Sequence, residues 1–207
     1  MKKLNTFLLG AILLISHITV TAQINVLVAY YSRDGHTKSM AEAIVQGAES
    51  IEGTTVTILP VDKVAMEDLL AADAIIVGSP VYNANVAPMV SVFLSEWPFE
   101  TGEMRNKIGA AFATGAGFSA GEEITQLSIL HSMMIFGMII VSGPDWSQPF
   151  GASAITYEEP FASKGEGQID EVFINKGIAL GERVATITHR FNQQEKSKTE
   201  IYEEIFE

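Results

Sequence analysis

Residues 24–37 read INVLVAYYSRDGHT and carry the two signals that decide the fold. From Ile24 to Tyr30 the chain is an almost continuous apolar run rich in β-branched side chains, which is typical of a strand buried on both faces. The run ends at a polar segment containing Gly35, and residues 38–50 then repeat apolar or small side chains at the period of a helix. This succession predicts the first unit of a parallel α/β sheet.

The same alternation recurs along the rest of the chain. Buried strands are predicted at residues 54–59, 74–78, 108–114 and 138–142, and helices at residues 66–70, 89–94, 122–136 and 170–191. The fold class is therefore α/β, a doubly wound sheet of five parallel strands with helices on both faces.

Two stretches fall outside this alternation. Residues 143–167 show no clear periodicity, and a loop of such length is usually functional. Residues 193–207 are strongly charged, which predicts either a solvated terminal helix or a frayed end.

The amino terminus has the composition of a targeting segment. A short basic start precedes an apolar run at residues 7–15, and Val20 and Ala22 stand where a signal peptidase requires small residues, just before Gln23. The apolar run is too short for a membrane span, which needs about 20 residues. We therefore predict a cleavable signal peptide at residues 1–22; the alternatives are an uncleaved anchor and a buried amphipathic helix.

Cleavage would leave one domain, residues 23–207, exported to the periplasm of a bacterium and without a stable membrane span. The 207-residue chain carries 13 basic and 25 acidic side chains, a net charge of −12, which argues against nucleic-acid binding. It contains no cysteine, which excludes a disulfide, a thiolate metal site, a cysteine nucleophile and a lipidated amino-terminal cysteine.

Three loops follow predicted strands and should meet at one edge of the sheet, where open α/β folds bind ligands. Residues 32–37 (SRDGHT) offer hydroxyls, a glycine and a helix start, a combination that suits a phosphate. The alternative is an ordinary helix start with Thr37 as its N-cap. Residues 78–85 (GSPVYNAN) offer a flat aromatic face and amides, and residues 114–121 (TGAGFSAG) a glycine-rich backbone that can lie against a flat ligand.

The segments VLVAYYSRDGHT, GSPVYNANVAPMVSVFL, ATGAGFSAGEE, HSMMIFGMIIV and PFGAS resemble flavodoxin-fold FMN proteins. More narrowly, they are similar to the tryptophan-repressor-binding-protein type of NAD(P)H:quinone oxidoreductases, over residues 24–190. The resemblance implies a flavodoxin-like sheet of strand order 2-1-3-4-5 with FMN at the point where the order reverses.

The resemblance also assigns residues to the cofactor. It implies that the FMN phosphate is held by Ser32, Arg33, Gly35, His36 and Thr37. One edge of the ring would be lined by Pro80, Val81, Tyr82, Asn83 and Asn85, and the other by Thr114, Gly115, Ala116, Gly117, Phe118, Ser119 and Gly121.

The implied activity is two-electron transfer from NAD(P)H to a quinone-like acceptor in a homodimer or tetramer. His131 would approach the flavin of a neighbouring subunit, and His131 or Tyr82 would donate to a quinone oxygen. The alternative for His131 is a buried histidine on the inner face of its helix, and Trp97 would either cover the flavin or pack on the sheet.

One departure from the family pattern bears on the electron donor. Val81, Tyr82 and Asn83 stand where the family usually has threonine, arginine and phenylalanine. The specificity for NADH or NADPH as electron donor is therefore left open. The rival functions are an exported flavodoxin that carries electrons to a redox partner without its own substrate, and an exported domain without flavin.

Overall fold

The computed structural model describes residues 23–163 and 165–206, with side chains as far as Gln194. The predicted signal peptide, residues 1–22, lies outside the described residues. The strands are β1 (Ile24–Tyr30), β2 (Thr54–Pro60), β3 (Ala74–Tyr82), β4 (Asn85–Val86), β5 (Ile108–Gly115), β6 (Ile139–Ile140) and β7 (Ala152–Ile155). The helices are α1 (His36–Glu49), α2 (Met66–Ala71), α3 (Pro88–Ser95), α4 (Glu122–Ile135) and α5 (Glu171–Phe206).

These strands form one sheet with the path β2-β1-β3-β5-β6, in which all neighbours run parallel. The path confirms the predicted order 2-1-3-4-5, because β5 and β6 are the fourth and fifth predicted strands. After β1 the chain crosses first to β2 and then back to β3 on the other side. The strand order therefore reverses at β1 and β3, and a crevice opens at their carboxyl ends.

Within the described residues the sheet has seven strands rather than the predicted five. The short β4 pairs antiparallel with the end of β3, and β7 pairs parallel with the second half of β5. The predicted strand at residues 138–142 shrinks to β6, which pairs only with Ile108 and Gly109. Gly143, Pro144 and Pro149 lie in the connection between β6 and β7, and proline cannot donate to a strand ladder.

Alternate side chains of the strands supply two separate cores. Val26 and Val28 of β1 face a core that α1 and α5 cover, while Leu27 and Ala29 face a second core that α3 and α4 cover. Burial of both strand faces explains why the strands read as continuous apolar runs.

Helix α5 is longer than the sequence predicts. It runs from Glu171 to Phe206, so the charged tail continues this helix as far as the structure describes it. None of the helices in the described residues combines the length and the apolar character that a membrane crossing requires.

Candidate functional site

A cavity of about 340 Å³ lies at the carboxyl ends of β1, β3 and β5. Its volume is in the range of small-molecule sites, about 300–1,000 Å³. All three predicted loops contribute to its wall, through Ser32, Arg33, His36, Thr37, Pro80, Val81, Tyr82, Asn83, Thr114, Gly115 and Ala116. The sequence therefore predicted which loops come together at this edge of the sheet.

The first loop depends on Gly35, which is the N-cap of α1 with φ of 84°. A Cβ at this position would stand 2.8 Å from Cα of Gly167, so only glycine fits both the backbone and the space. Thr37 lies inside the helix, and the alternative that made it the N-cap is wrong. Its hydroxyl instead shares a 2.8 Å hydrogen bond with the hydroxyl of Thr114, which joins the first loop to β5.

The first loop also presents polar atoms that lack partners. Ser32 Oγ and His36 Nε2 are buried, and no described residue forms a hydrogen bond with either atom. The first-turn amides of α1 have no acceptor within the helix and carry its positive dipole. Unpaired buried polar atoms are costly unless a ligand pairs with them, so this end of the cavity suits an anion.

His36 is the buried titratable group of this loop. It is 6% exposed, and its ring meets the ring edge of Tyr157 at a centroid distance of 5.3 Å. Burial lowers the pKa of His36 below its ordinary value, against the opposing charge of Asp34. The imidazole is therefore neutral at neutral pH, and the cationic side chain at this end of the cavity is Arg33.

The second loop is shaped by a tight hairpin between β3 and β4. Asn83 and Ala84 form its turn with φ of 51° and 59°, the left-handed pair that a two-residue turn requires. Ser79 Oγ accepts a 2.9 Å hydrogen bond from the Ala87 amide, which holds the base of the hairpin. Tyr82 faces the cavity, whereas Asn85 is exposed in β4 and lies outside the cavity wall.

The third loop divides into a lining part and a supporting part. Thr114, Gly115 and Ala116 line the cavity. The remaining predicted residues of this loop, which are Gly117, Phe118, Ser119 and Gly121, do not line it. A Cβ on Gly121 would lie 2.7 Å from Cα of Ala84, so the glycine allows the third loop to press against the second.

The sequence did not predict a fourth segment of the cavity wall, which contains Thr156 and Tyr157. It also did not predict that Asp34 of the first loop lines the cavity. Strand β7 places this segment, since the amides of Thr156 and Tyr157 donate to the carbonyl oxygens of Gly115 and Ala116 at 3.0 and 2.9 Å. The available signal was the aperiodic stretch at residues 143–167, which marked the region without identifying any residue.

His131 and Trp97, which were both considered as flavin contacts, lie outside the cavity. His131 is exposed on α4, so its alternative as a buried histidine on the inner face is wrong. Trp97 is 4% exposed and packs against Phe93 at a centroid distance of 5.6 Å. Trp97 therefore packs in the core between the sheet and α3, as its alternative predicted.

A parallel sheet of order 2-1-3-4-5 with a cavity at its switch point is the architecture of the flavodoxin-like class of proteins. A family model described as NADPH-dependent FMN reductase matches residues 22–153. The chain belongs to this family.

Individual relatives agree with this assignment. An NAD(P)H dehydrogenase (quinone) of Azorhizobium caulinodans is 31% identical over 196 residues, covering 77% of this chain and 94% of the relative. A flavodoxin of Aquifex aeolicus is 38% identical over 126 residues, covering 58% of this chain and 66% of the relative. The flavodoxin, WrbA-like protein of Agrobacterium tumefaciens shares the fold at a TM-score of 0.68 and 23% identity, covering 81% of this chain and 99% of that structure.

Proposed function

We propose that this protein is an FMN-dependent oxidoreductase that transfers two electrons from NAD(P)H to a quinone-like acceptor. The observation that carries the proposal is the cavity in which three loops and a helix start meet at the switch point. Membership of the FMN reductase family and the quinone dehydrogenase name of a relative support it.

The residues present fit FMN. The two unpartnered atoms, Ser32 Oγ and His36 Nε2, together with Arg33 and the first-turn amides, would hold the phosphate. The ring would lie between Tyr82 of the second loop and the backbone of Gly115 in the third loop. FMN, when bound, supplies the hydride and electron chemistry, and the protein supplies position and electrostatics.

The chain's own groups would stabilise negative charge on the ring and donate a proton to the acceptor. Backbone amides of the third loop would donate toward the edge of the ring and favour negative charge there. The amide of Phe118 is not among them, because it donates to Glu158 Oε2 at 2.7 Å. Tyr82 lines the cavity, and its hydroxyl would donate a proton to an acceptor oxygen.

The rival function is an electron carrier without its own substrate. The net charge of −12 suits docking to a basic redox partner, and two of the relatives are named flavodoxins. The enzyme is favoured because the matched family is one of reductases, and a relative named NAD(P)H dehydrogenase (quinone) aligns over 77% of this chain.

An absorption spectrum distinguishes these functions. The purified chain is incubated with FMN and passed through gel filtration, and NADPH or NADH is then added, followed by benzoquinone. An oxidoreductase retains flavin bands that bleach with a nucleotide and return with the quinone. Retained bands that neither nucleotide bleaches would instead favour the carrier, and a colourless protein would contradict both functions.

We also propose that the protein is exported, on the basis of residues 1–22 alone. The basic start, the apolar run at residues 7–15 and the small residues before Gln23 support cleavage at that point. Mass spectrometry of the protein from fractionated cells should find an amino terminus at Gln23 in the periplasmic fraction. An intact Met1 in the cytoplasmic fraction would contradict export.

Self-association is the third part of the proposal. A groove of about 290 Å³ lies between α3 and α4, and exposed apolar side chains of both helices, Val92 and Ile135 among them, border this side of the molecule. His131 is exposed on α4, outside the cavity of its own chain. We propose that a second copy seated on this face brings His131 to a flavin.

A further inference from the structure

Asp34 places a carboxylate inside a loop that is otherwise built for an anion. It lies between Arg33 and Gly35, the N-cap of α1, and its side chain lines the cavity beside His36. A carboxylate opposes a bound phosphate at short range, since two negative charges repel most where water is partly excluded. The first loop therefore contains a group that works against the ligand it would hold.

Contacts fix this carboxylate at the cavity. Asp34 Oδ1 accepts a 3.1 Å hydrogen bond from Arg33 Nε, and Asp34 Oδ2 accepts one from the Tyr157 hydroxyl at 3.5 Å. The Asp34 carbonyl accepts the Gly167 amide at 2.9 Å, which anchors the backbone independently of the side chain. Loss of the carboxylate charge should therefore leave the loop in place.

Arg33 is the side chain for which the carboxylate and a phosphate compete. Of the described residues that line the cavity, Arg33 alone carries a permanent positive charge. The hydrogen bond and charge of Asp34 raise the pKa of Arg33 and keep its guanidinium paired. Because Asp34 already accepts from Nε, an arriving phosphate must share the guanidinium with the carboxylate and also tolerate its charge nearby.

We infer that Asp34 is an internal counter-anion that weakens phosphate binding and so makes FMN an exchangeable ligand of this cavity. The inference rests on the proposed function, because it requires FMN to bind at the first loop. It concerns only the phosphate, so riboflavin, which has the same ring without a phosphate, should be unaffected by Asp34.

The test compares the two flavins on two matched variants. Dissociation constants of FMN and riboflavin are measured by flavin fluorescence for the full chain, for Asp34→Asn and for Asp62→Asn. Asp62 forms a similar exposed pair with the adjacent Lys63, at 2.9 Å, but does not line the cavity. Both variants change the net charge equally, so a difference between them reports the position of the charge.

Asp34→Asn should bind FMN about fivefold more tightly, the size expected for a half-exposed charge pair, and the gain should shrink at high salt. Riboflavin binding should change less than twofold, and Asp62→Asn should resemble the unmodified protein for both flavins. Unchanged or weaker FMN binding by Asp34→Asn, or an equal gain for riboflavin, would overturn the role of Asp34 and leave the proposed function standing. If the unmodified protein binds neither flavin, the proposed function falls together with the inference.

Discussion

Gly35 and Gly102 both have a left-handed backbone conformation, but their surroundings differ. Their φ values are 84° and 71°, both in the left-handed region that costs other residues about 1–2 kcal/mol. A Cβ on Gly35 would meet Gly167, whereas a Cβ on Gly102 would have no atom within 4 Å. The two positions therefore separate backbone strain from a steric clash at the site.

We expect Gly35→Ala to weaken FMN binding at least about tenfold, since a clash of this kind displaces the loop that positions the phosphate. Gly102→Ala should lower the melting temperature slightly through strain and leave FMN affinity unchanged. Fluorescence titration and thermal unfolding of both variants measure the two effects. Equal loss of FMN affinity in both variants would show that Gly35 contributes only general stability.

Residue types predicted the three loops because each has an unusual composition directly after an apolar run. Ser32, Tyr82 and Gly115 could be assigned to one edge of a sheet from that pattern. Thr156 and Tyr157 could not, because their place depends on backbone pairing with Gly115 and Ala116, about forty residues away. The sequence around Thr156 and Tyr157 does not indicate which residues they pair with.

Helices α1 and α5 cross at glycines, which let the two backbones approach closely. A Cβ on Gly181 of α5 would collide with the carbonyl oxygen of Ile44 in α1, and a Cβ on Gly47 of α1 would collide with that of Ile178. The contact is reciprocal, so neither helix can withdraw without opening the core that both cover. Because α1 begins at the first loop, this packing also sets the position of the candidate phosphate site.

We expect Gly181→Ala to lower the free energy of unfolding by about 1–3 kcal/mol, because overpacking outweighs the gain in helix propensity. Glu182→Ala, at the exposed neighbouring position, should change it by less than about 0.5 kcal/mol. Urea denaturation measures both variants. A more stable Gly181→Ala would mean that the helices can separate without cost.

Elements with a readable apolar pattern were predictable, whereas the short strands β4 and β7 were not. Strand β1 and helix α4 agree with the sequence prediction within one residue, because β1 is a long apolar run and α4 follows Gly121 with a long apolar pattern. Strands β4 and β7 span two and four residues, too few for a period to be read. Each exists because it pairs with a longer strand, β3 or β5, that the sequence did predict.

The two sides of the whole molecule differ in what covers them. Helices α1 and α5 pack against one another, whereas α3 and α4 leave a groove that Ile135, 70% exposed, helps to line. Val92 of α3 is also exposed, at 51%. Large apolar side chains at this exposure are characteristic of a contact surface when they cluster. The chain as a whole is acidic, so apolar contact rather than charge attraction would have to hold two copies together.

We therefore expect Ile135→Lys to raise the dissociation constant for self-association at least about tenfold, since a charge in the middle of an apolar contact loses hydration without a partner. The matched control is Val172→Lys, at a side chain that is 45% exposed at the start of α5, on the other side of the sheet. Sedimentation equilibrium over a range of concentrations measures both variants.

The expected result is a dimer or tetramer for the unmodified protein and for Val172→Lys, and a monomer for Ile135→Lys. If self-association also brings His131 to a flavin, Ile135→Lys should lower quinone reduction while FMN stays bound, because the cavity lies within one chain. An unmodified protein that is monomeric at every concentration would contradict the contact. It would also leave Tyr82 as the proton donor that the chain supplies to the acceptor.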